Sequence, residues 1–476
     1  MKKTDIILII STIVYSLLFY EQEIGINLTL FNLILVGGIL FIKPEILKNK
    51  IALFVLLGTI ISAVNVTMQN TLLAIILNIF SLITLAGLSI NPKSSLLIAT
   101  LNSVYSFFTS ILLRLIEKIE AKNTMNLGFM GKVTFQKIKM VLIPLVVISI
   151  FISLYASANP LFQSLIDKMN LDFISWQWVQ FTAIGFLVLF GFFYQSHIPA
   201  LSDADRLAEN NLTRIHKTKP FSNFIGLKYE YKTGWILLLL LNLLLLVFNG
   251  LDINFLLFNK TPVLVQSDYL HQGVNTLITS IILAILVILY YFRRNLNFYK
   301  NNKGLRVLAY LWVIQNVILI IATLAKNANY IAHDGLTYKR IGIYVFLFLT
   351  LIGLVTTFIK VHKIKSNWFL VRINSILFYG IFIIGTAFNW DGIITNYNLQ
   401  NNENIDIDYL TSLTDSNIPQ LVDLVKKRGA FFTENQRAAI NTKKSDFLYK
   451  TENKGWKSWS YRNWQVAQTL ESTDHE

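Results

Sequence analysis

Residues 235–248 read WILLLLLNLLLLVF, a run with one polar residue, Asn242, and no charge. A surface helix of a soluble domain carries a polar face, and a barrel strand alternates in polarity; this run does neither. A continuous apolar segment approaching the roughly 20 residues that cross a bilayer reads as a membrane helix.

The same texture recurs outward from it, at 6–20, 28–42, 51–68, 71–90, 96–113, 140–158, 178–195, 274–292, 307–325, 341–359 and 373–388. That makes twelve candidate spans, of which the first two are short enough for one to lie re-entrant or interfacial. Composition agrees: 54% of the 476 residues are hydrophobic and 14% charged, against about 25% charged in soluble domains. The fold class read here is all-α. A polytopic transmembrane bundle of about 12 helices, with 11 as the alternative, occupies 1–390, and a small extracytoplasmic helical region follows at 391–476.

Lysines and arginines in short loops orient such a chain. From residue 114 onward, loops 114–139, 196–232, 293–306 and 360–372 hold 21 of them, and the intervening loops hold five. The first set is read as cytoplasmic, which leaves everything after 390 outside. Five spans before Arg114 place Lys2 and Lys3 outside; four place them inside, where lysines belong, so both counts stay open. The run after Met1-Lys2-Lys3 has no small-x-small cleavage site and is read as an uncleaved anchor.

The net charge of +15 invites a nucleic-acid reading. The tail 391–476 has 12 acidic and 10 basic residues, so the membrane part carries the whole excess, mostly in cytoplasmic loops. Orientation explains the charge, and no nucleic acid is expected. In the tail, apolar spacing over 405–427 suits one or two short amphipathic helices, with Pro419 at a helix start and Gly429 at a C-cap. Trp456, Trp459, Tyr461 and Trp464 follow, read as small-domain packing or an interfacial belt.

Chemistry is sparse. No cysteine is present, the six histidines make no H-x-x-x-H or H-E-x-x-H pattern, and no phosphate-binding glycine loop occurs. No metal and no cofactor is expected. The spans hold neutral amides instead of charges: Asn65, Asn78, Asn102, Asn242, Gln315 and Asn316. Such amides commonly bond across helices; Asn242, Gln315 and Asn316 are also the candidates for an intramembrane polar path. Topology collects a second polar group on the outer rim, namely His271, Gln272, Tyr330, His333, Asp334, Thr337, Arg340 and Asp391. Asp334 or Thr337 can cap the following helix, and Arg340 is placed to bond carbonyls, phosphate headgroups or Asp391. The rim reads as helix caps or as an outward-facing site. On the cytoplasmic side, Ser202-Asp203-Ala204-Asp205-Arg206 reads as a solvated loop or amphipathic helix.

An ordered set of motifs carries a resemblance. It comprises Ala156-Ser157-Ala158-Asn159-Pro160-Leu161-Phe162, His271-Gln272-Gly273, Tyr330 with Gly335-Leu336-Thr337 and Arg340, Asn396-Tyr397-Asn398-Leu399, Ile407-Asp408-Tyr409-Leu410 and Ile418-Pro419. These resemble an uncharacterised bacterial family of multi-pass membrane proteins, the domain of unknown function numbered 4173, close to the one numbered 4153. The resemblance implies a polytopic inner-membrane protein with an extracytoplasmic tail, and some members are labelled as sensor components. The leading expectation is a non-enzymatic protein of the bacterial cytoplasmic membrane. It would act in envelope-associated sensing or regulation, or in small-molecule transport, with the lipid bilayer and an envelope protein or small-molecule ligand at the outer face as partners. The alternative is a transferase working on a lipid-linked or envelope glycan substrate at the outer face, with His333, Asp334 or Asp391 as its acid or base.

Overall fold

The computed structural model describes residues 2–124, 175–214, 226–258, 267–401, 405–427 and 432–474, with Tyr155, Asn159 and Gly429. Among these residues the chain is helical, with no strand and one isolated bridge, Asn211 to Lys365. Helices α1 (Lys3–Phe19), α2 (Ile26–Ile42), α3 (Lys50–Gln69), α4 (Leu72–Leu88) and α5 (Leu96–Thr124) precede α6 (Trp176–Phe193) and the short α7 (Pro199–Leu207). Then come α8 (Leu227–Phe258), α9 (Ser267–Tyr291), α10 (Lys303–Asp334), α11 (Tyr338–His362) and α12 (Asn367–Gly385). The C-terminal helices are α13 (Trp390–Asn401), α14 (Ile407–Ser412), α15 (Ile418–Lys427), α16 (Glu434–Glu452) and α17 (Tyr461–Asp474).

Eleven of the twelve expected segments are helical where the apolar runs lie; 140–158, apart from Tyr155, is outside the described residues. Seven described helices are long and apolar enough to cross a membrane, and α2 and α4 are shorter apolar helices. This is an all-α membrane protein. Helix starts follow capping chemistry: Asn49 accepts from Ile51 N and Ala52 N at 2.8 and 3.1 Å, and Ser175 and Ser366 cap α6 and α12. The sequence reading makes α8 and α10 too short. Each has 32 residues, about 48 Å at 1.5 Å per residue, against about 30 Å of hydrocarbon. Their polar ends continue the helix past the apolar stretch.

Two apolar cores organise the bundle. One joins α1–α6 with α12, through residues such as Leu35, Val55, Leu85, Phe192 and Tyr379; the other joins α8–α11 around Leu238, Ile281, Trp312 and Leu354. Inside the first core lies a fully buried neutral network. Asn32 and Asn78 exchange amide hydrogen bonds at 2.9 and 3.1 Å, Asn78 also donates to Ser62 Oγ at 3.0 Å, and the Thr59, Ser81 and Tyr379 hydroxyls form a chain ending on Val55 O. Gly58 leaves room for the Tyr379 ring, which a Cβ there would strike. Replacing Asn78 by leucine strands Asn32 and is expected to cost about 1–2 kcal/mol, read as a lower Tm of the purified protein in detergent.

The helix ends sort onto two faces. Helix α1 runs antiparallel to α6: Tyr20 meets Ser175 at 2.7 Å, Ser16 meets Thr182 at 3.0 Å, and Tyr194 donates to Asp5 at the opposite end. The start of α1 therefore shares a face with the end of α6, where the Arg114 guanidinium lies 3.6 Å from the centre of the Tyr194 ring. Buried Asp205 joins other elements there, accepting from Ser95 N at 2.7 Å and pairing with Arg372 at 3.2 Å. The segment 202–206 is thus part of a helix that docks on the bundle. The other face carries the end of α1, the start of α2, the ends of α3, α10 and α12, and all the C-terminal helices.

Candidate functional site

Helix α10 stops at Gly335, whose φ of 83° suits a residue without a side chain and whose N–H bonds Ile331 O at 3.0 Å. Two residues later Thr337 caps α11 by accepting from Arg340 N at 3.4 Å. The buried Arg340 turns back onto the end of α10. Its guanidinium donates to Asp334 O at 2.8 Å and to Gly335 O, pairs with Asp334 Oδ2 at 3.4 Å, and lies 5.0 Å from the centre of the Tyr330 ring. A cation on the last carbonyls of a helix also complements its dipole. His333 Nδ1 sits 2.8 Å from Asp334 Oδ1 on the exposed side.

The C-terminal helices grip this turn. Asn398 on α13 accepts from Leu336 N at 2.5 Å and donates to Leu336 O at 2.9 Å. Asp391, 1% exposed, accepts from Tyr338 Oη at 2.6 Å, from Thr414 N at 3.2 Å and from the Thr414 hydroxyl. Tyr409 Oη accepts from Tyr338 N at 2.9 Å. Behind this layer Lys443 donates to Thr411 O, Leu413 O, Thr414 O and Asn417 Oδ1 at 2.6–3.3 Å, and burial pushes its ammonium below the ordinary lysine range while Asp415 and Asp391 oppose the shift. Ile331, Leu336, Ile394, Leu410, Leu421 and Ile440 form the apolar side of the joint.

Of the expected rim, Tyr330, Asp334, Thr337 and Arg340 come together at the α10–α11 turn. Asp391 joins them through Tyr338, with Arg340 spent on the turn's carbonyls. His333 is at the surface. His271 and Gln272 fall in α9 with side chains outside the described residues. Sequence reasoning missed Tyr338, Asn398, Tyr409, Thr414 and Lys443 as members of the joint; a buried hydrogen-bonded pair so far apart in the chain leaves no local signal. The Asp391 carboxylate is enclosed, and its lone pairs are committed to hydroxyls and one N–H, the arrangement of a structural latch.

The intramembrane amides are similarly engaged. Gln315 Nε2 donates to Asn242 Oδ1 at 2.9 Å, and Asn242 Nδ2 donates to Leu238 O and Leu308 O at 2.7 and 3.0 Å. Asn249 Nδ2 reaches Gln315 O at 3.0 Å, Asn316 bonds its own helix at Trp312 O, and Lys326 pairs with Asp252 at 2.7 Å. These contacts clasp α8 to α10. The Asp252–Lys326 pair was invisible while both residues were assigned to loops. Asn242→Leu is expected to lower stability by about 1–2 kcal/mol, and Asn242→Leu with Gln315→Leu by less than the two singles combined, as a double-mutant cycle on Tm would measure.

A model of one protein family, a domain of unknown function (DUF4153), matches residues 13–424. The chain belongs to the DUF4153 family. This is the family that the sequence resemblance set beside 4173. No curated protein matches the chain, and no solved structure does. The DUF4153 match takes in the α10–α11 turn and the gripping residues Asp391, Asn398, Tyr409 and Thr414. Helices α16 and α17 lie beyond it.

Proposed function

We propose that this DUF4153 protein is a multi-pass protein of the bacterial cytoplasmic membrane in which residues 391–476 form an outer cap, cap and membrane helices together serving envelope-associated sensing or regulation. The observation that carries the reading is the Asp391–Tyr338–Thr414 latch, which couples the cap to the start of α11. A ligand or protein that shifts the cap shifts α10 and α11 with it, the kind of two-state element a signal can bias.

Charge supports the orientation. Among the described residues, the face at the start of α1 collects Lys2, Lys3, the 43–50 loop, Arg206 and the basic segments 293–306 and 360–372. Helix α5 starts on this face beside Asp205 and its later turns lead away from it, so 114–139 adds no support for the cytoplasmic side beyond Arg114, whose guanidinium lies against Tyr194. With the N-terminus inside and the cap outside, the number of crossings is odd, which favours eleven over twelve. Transport through the α8–α10 seam draws less support, because Asn242 is fully engaged by Gln315 Nε2 and the Leu238 and Leu308 carbonyls. A transferase centred on Asp391 draws less still, because its carboxylate has no open approach.

A deletion strain scored for its envelope-stress transcript profile tests the reading. Wild-type protein restores the profile. Protein lacking 396–476, inserted at normal level, is expected not to restore it, and Asp391→Ala to restore it partially. Full restoration by the truncated protein sinks the sensing reading.

A further inference from the structure

The stretch from Lys454 to Trp464, ahead of the exposed polar residues Gln465, Gln468, Thr469 and Glu471 of α17, is turned inside out relative to a water-facing segment. Its polar side chains reach into the protein. Lys454 pairs with Glu23 at 2.6 Å, Lys457 Nζ donates to Leu17 O at 2.7 Å at the end of α1, and Trp459 O accepts from Ile26 N at 2.8 Å at the start of α2. Arg462 Nη2 donates to Gln69 Oε1 at 2.9 Å at the end of α3. Gly25 permits this approach: a Cβ there would lie 2.5 Å from Trp459 O. Val466 and Leu470 face inward against Ile418 and Phe447.

The exposed side chains of 454–464 are aromatic. Trp456 is 64% exposed, Trp464 46% and Trp459 40%, with Tyr461 beside Trp464 at 5.8 Å between ring centres. Helix ends beside the strap expose apolar residues, Leu17 of α1 at 62% and Leu72 at the start of α4 at 69%. A segment that spends its polar groups inward and leaves indoles out, continuous with the apolar flanks of membrane helices, matches the boundary between headgroups and acyl chains. There an amphipathic ring has both its environments.

We propose that residues 454–464 form an interfacial strap whose partner is the outer leaflet, with Trp456, Trp459, Tyr461 and Trp464 seated at headgroup level. The strap ties the last helices of the cap to α1–α3, so the cap rides on the depth of the bilayer as well as on the Asp391 latch. The proposal rests on the outer placement of the cap, which impermeant labelling of Asn441→Cys in intact spheroplasts tests separately.

The chain has no cysteine, so single-cysteine variants carry one label each. Full-length protein with Trp456→Cys, Trp464→Cys or Asn441→Cys is spin-labelled and reconstituted in phosphatidylethanolamine–phosphatidylglycerol vesicles. Collision with oxygen, which concentrates in lipid, is compared with collision with a water-soluble nickel chelate. At 456 and 464 oxygen is expected to dominate several-fold, and at 441 nickel. Nickel access at 456 and 464 equal to that at 441 overturns the strap while leaving the cap outside. Labels shielded from both reagents also overturn it, since they report a protein partner or a second copy on this surface. Nickel excluded from 441 as well contradicts a water-exposed cap, and with it the strap's contrast.

Discussion

Replacing Asp391 by alanine is expected to loosen the cap from the membrane helices by about 3 kcal/mol. The substitution leaves Tyr338 Oη and Thr414 N, which the carboxylate holds at 2.6 and 3.2 Å, without their acceptor in a buried place, and each stranded donor costs about 1–3 kcal/mol. The buried Lys443 ammonium also loses one of the two carboxylates that offset its burial, while Asp415 remains. Opening of the cap governs tryptic cleavage at Lys426, Lys427 and Arg437, so at about 1.4 kcal/mol per tenfold the rate rises by about 100-fold. Asp391→Asn keeps the acceptor for Tyr338 but presents an amide donor to Thr414 N; its effect should fall between the two. An unchanged cleavage rate in Asp391→Ala means the latch does not hold the cap.

Arg340→Ala acts one layer below. Its guanidinium, 6% exposed, satisfies Asp334 O and Gly335 O together and pairs with Asp334. Charge-assisted hydrogen bonds of this kind are worth about 1.5–3 kcal/mol, so the variant should lose about 2–3 kcal/mol, seen as a lower Tm of the whole protein. Arg340→Lys should recover less than half, because an ammonium cannot fork across two carbonyls and a carboxylate. Full recovery by lysine means that charge alone, without the fork geometry, holds the turn.

The two variants touch different readable layers of the sequence. Helix positions were legible because an uncharged run such as 235–248 has one physical solution in lipid. Helix lengths were less so: Lys228, Glu230, Asp252 and Lys326 look like loop residues, yet α8 and α10 run through them, since backbone hydrogen bonds stay satisfied after the apolar stretch ends. Thr337 was legible as a cap because capping is local. Arg340 was legible as a carbonyl donor for the same reason. The latch was not, because Asp391 lies 53 residues from Tyr338 and 23 from Thr414, and nothing in the spacing ties them. The strap was further out of reach, with Lys457 and Leu17 separated by 440 positions. Its aromatics could be seen, but the inward turn of its polar atoms depends on the ends of α1–α3. The proposed odd span count leans on a contact of the same kind, Tyr194 with Asp5, which brings the start of α1 beside the end of α6.

The two-sided arrangement is tested most directly by labelling single-cysteine variants in intact cells with a membrane-impermeant maleimide. Lys48→Cys, in the basic loop after α2, is expected to react only after lysis, and Asn441→Cys, on the cap, to react in intact spheroplasts. Labelling of both positions from the same side contradicts an outer cap latched to a bundle whose N-terminus lies inside.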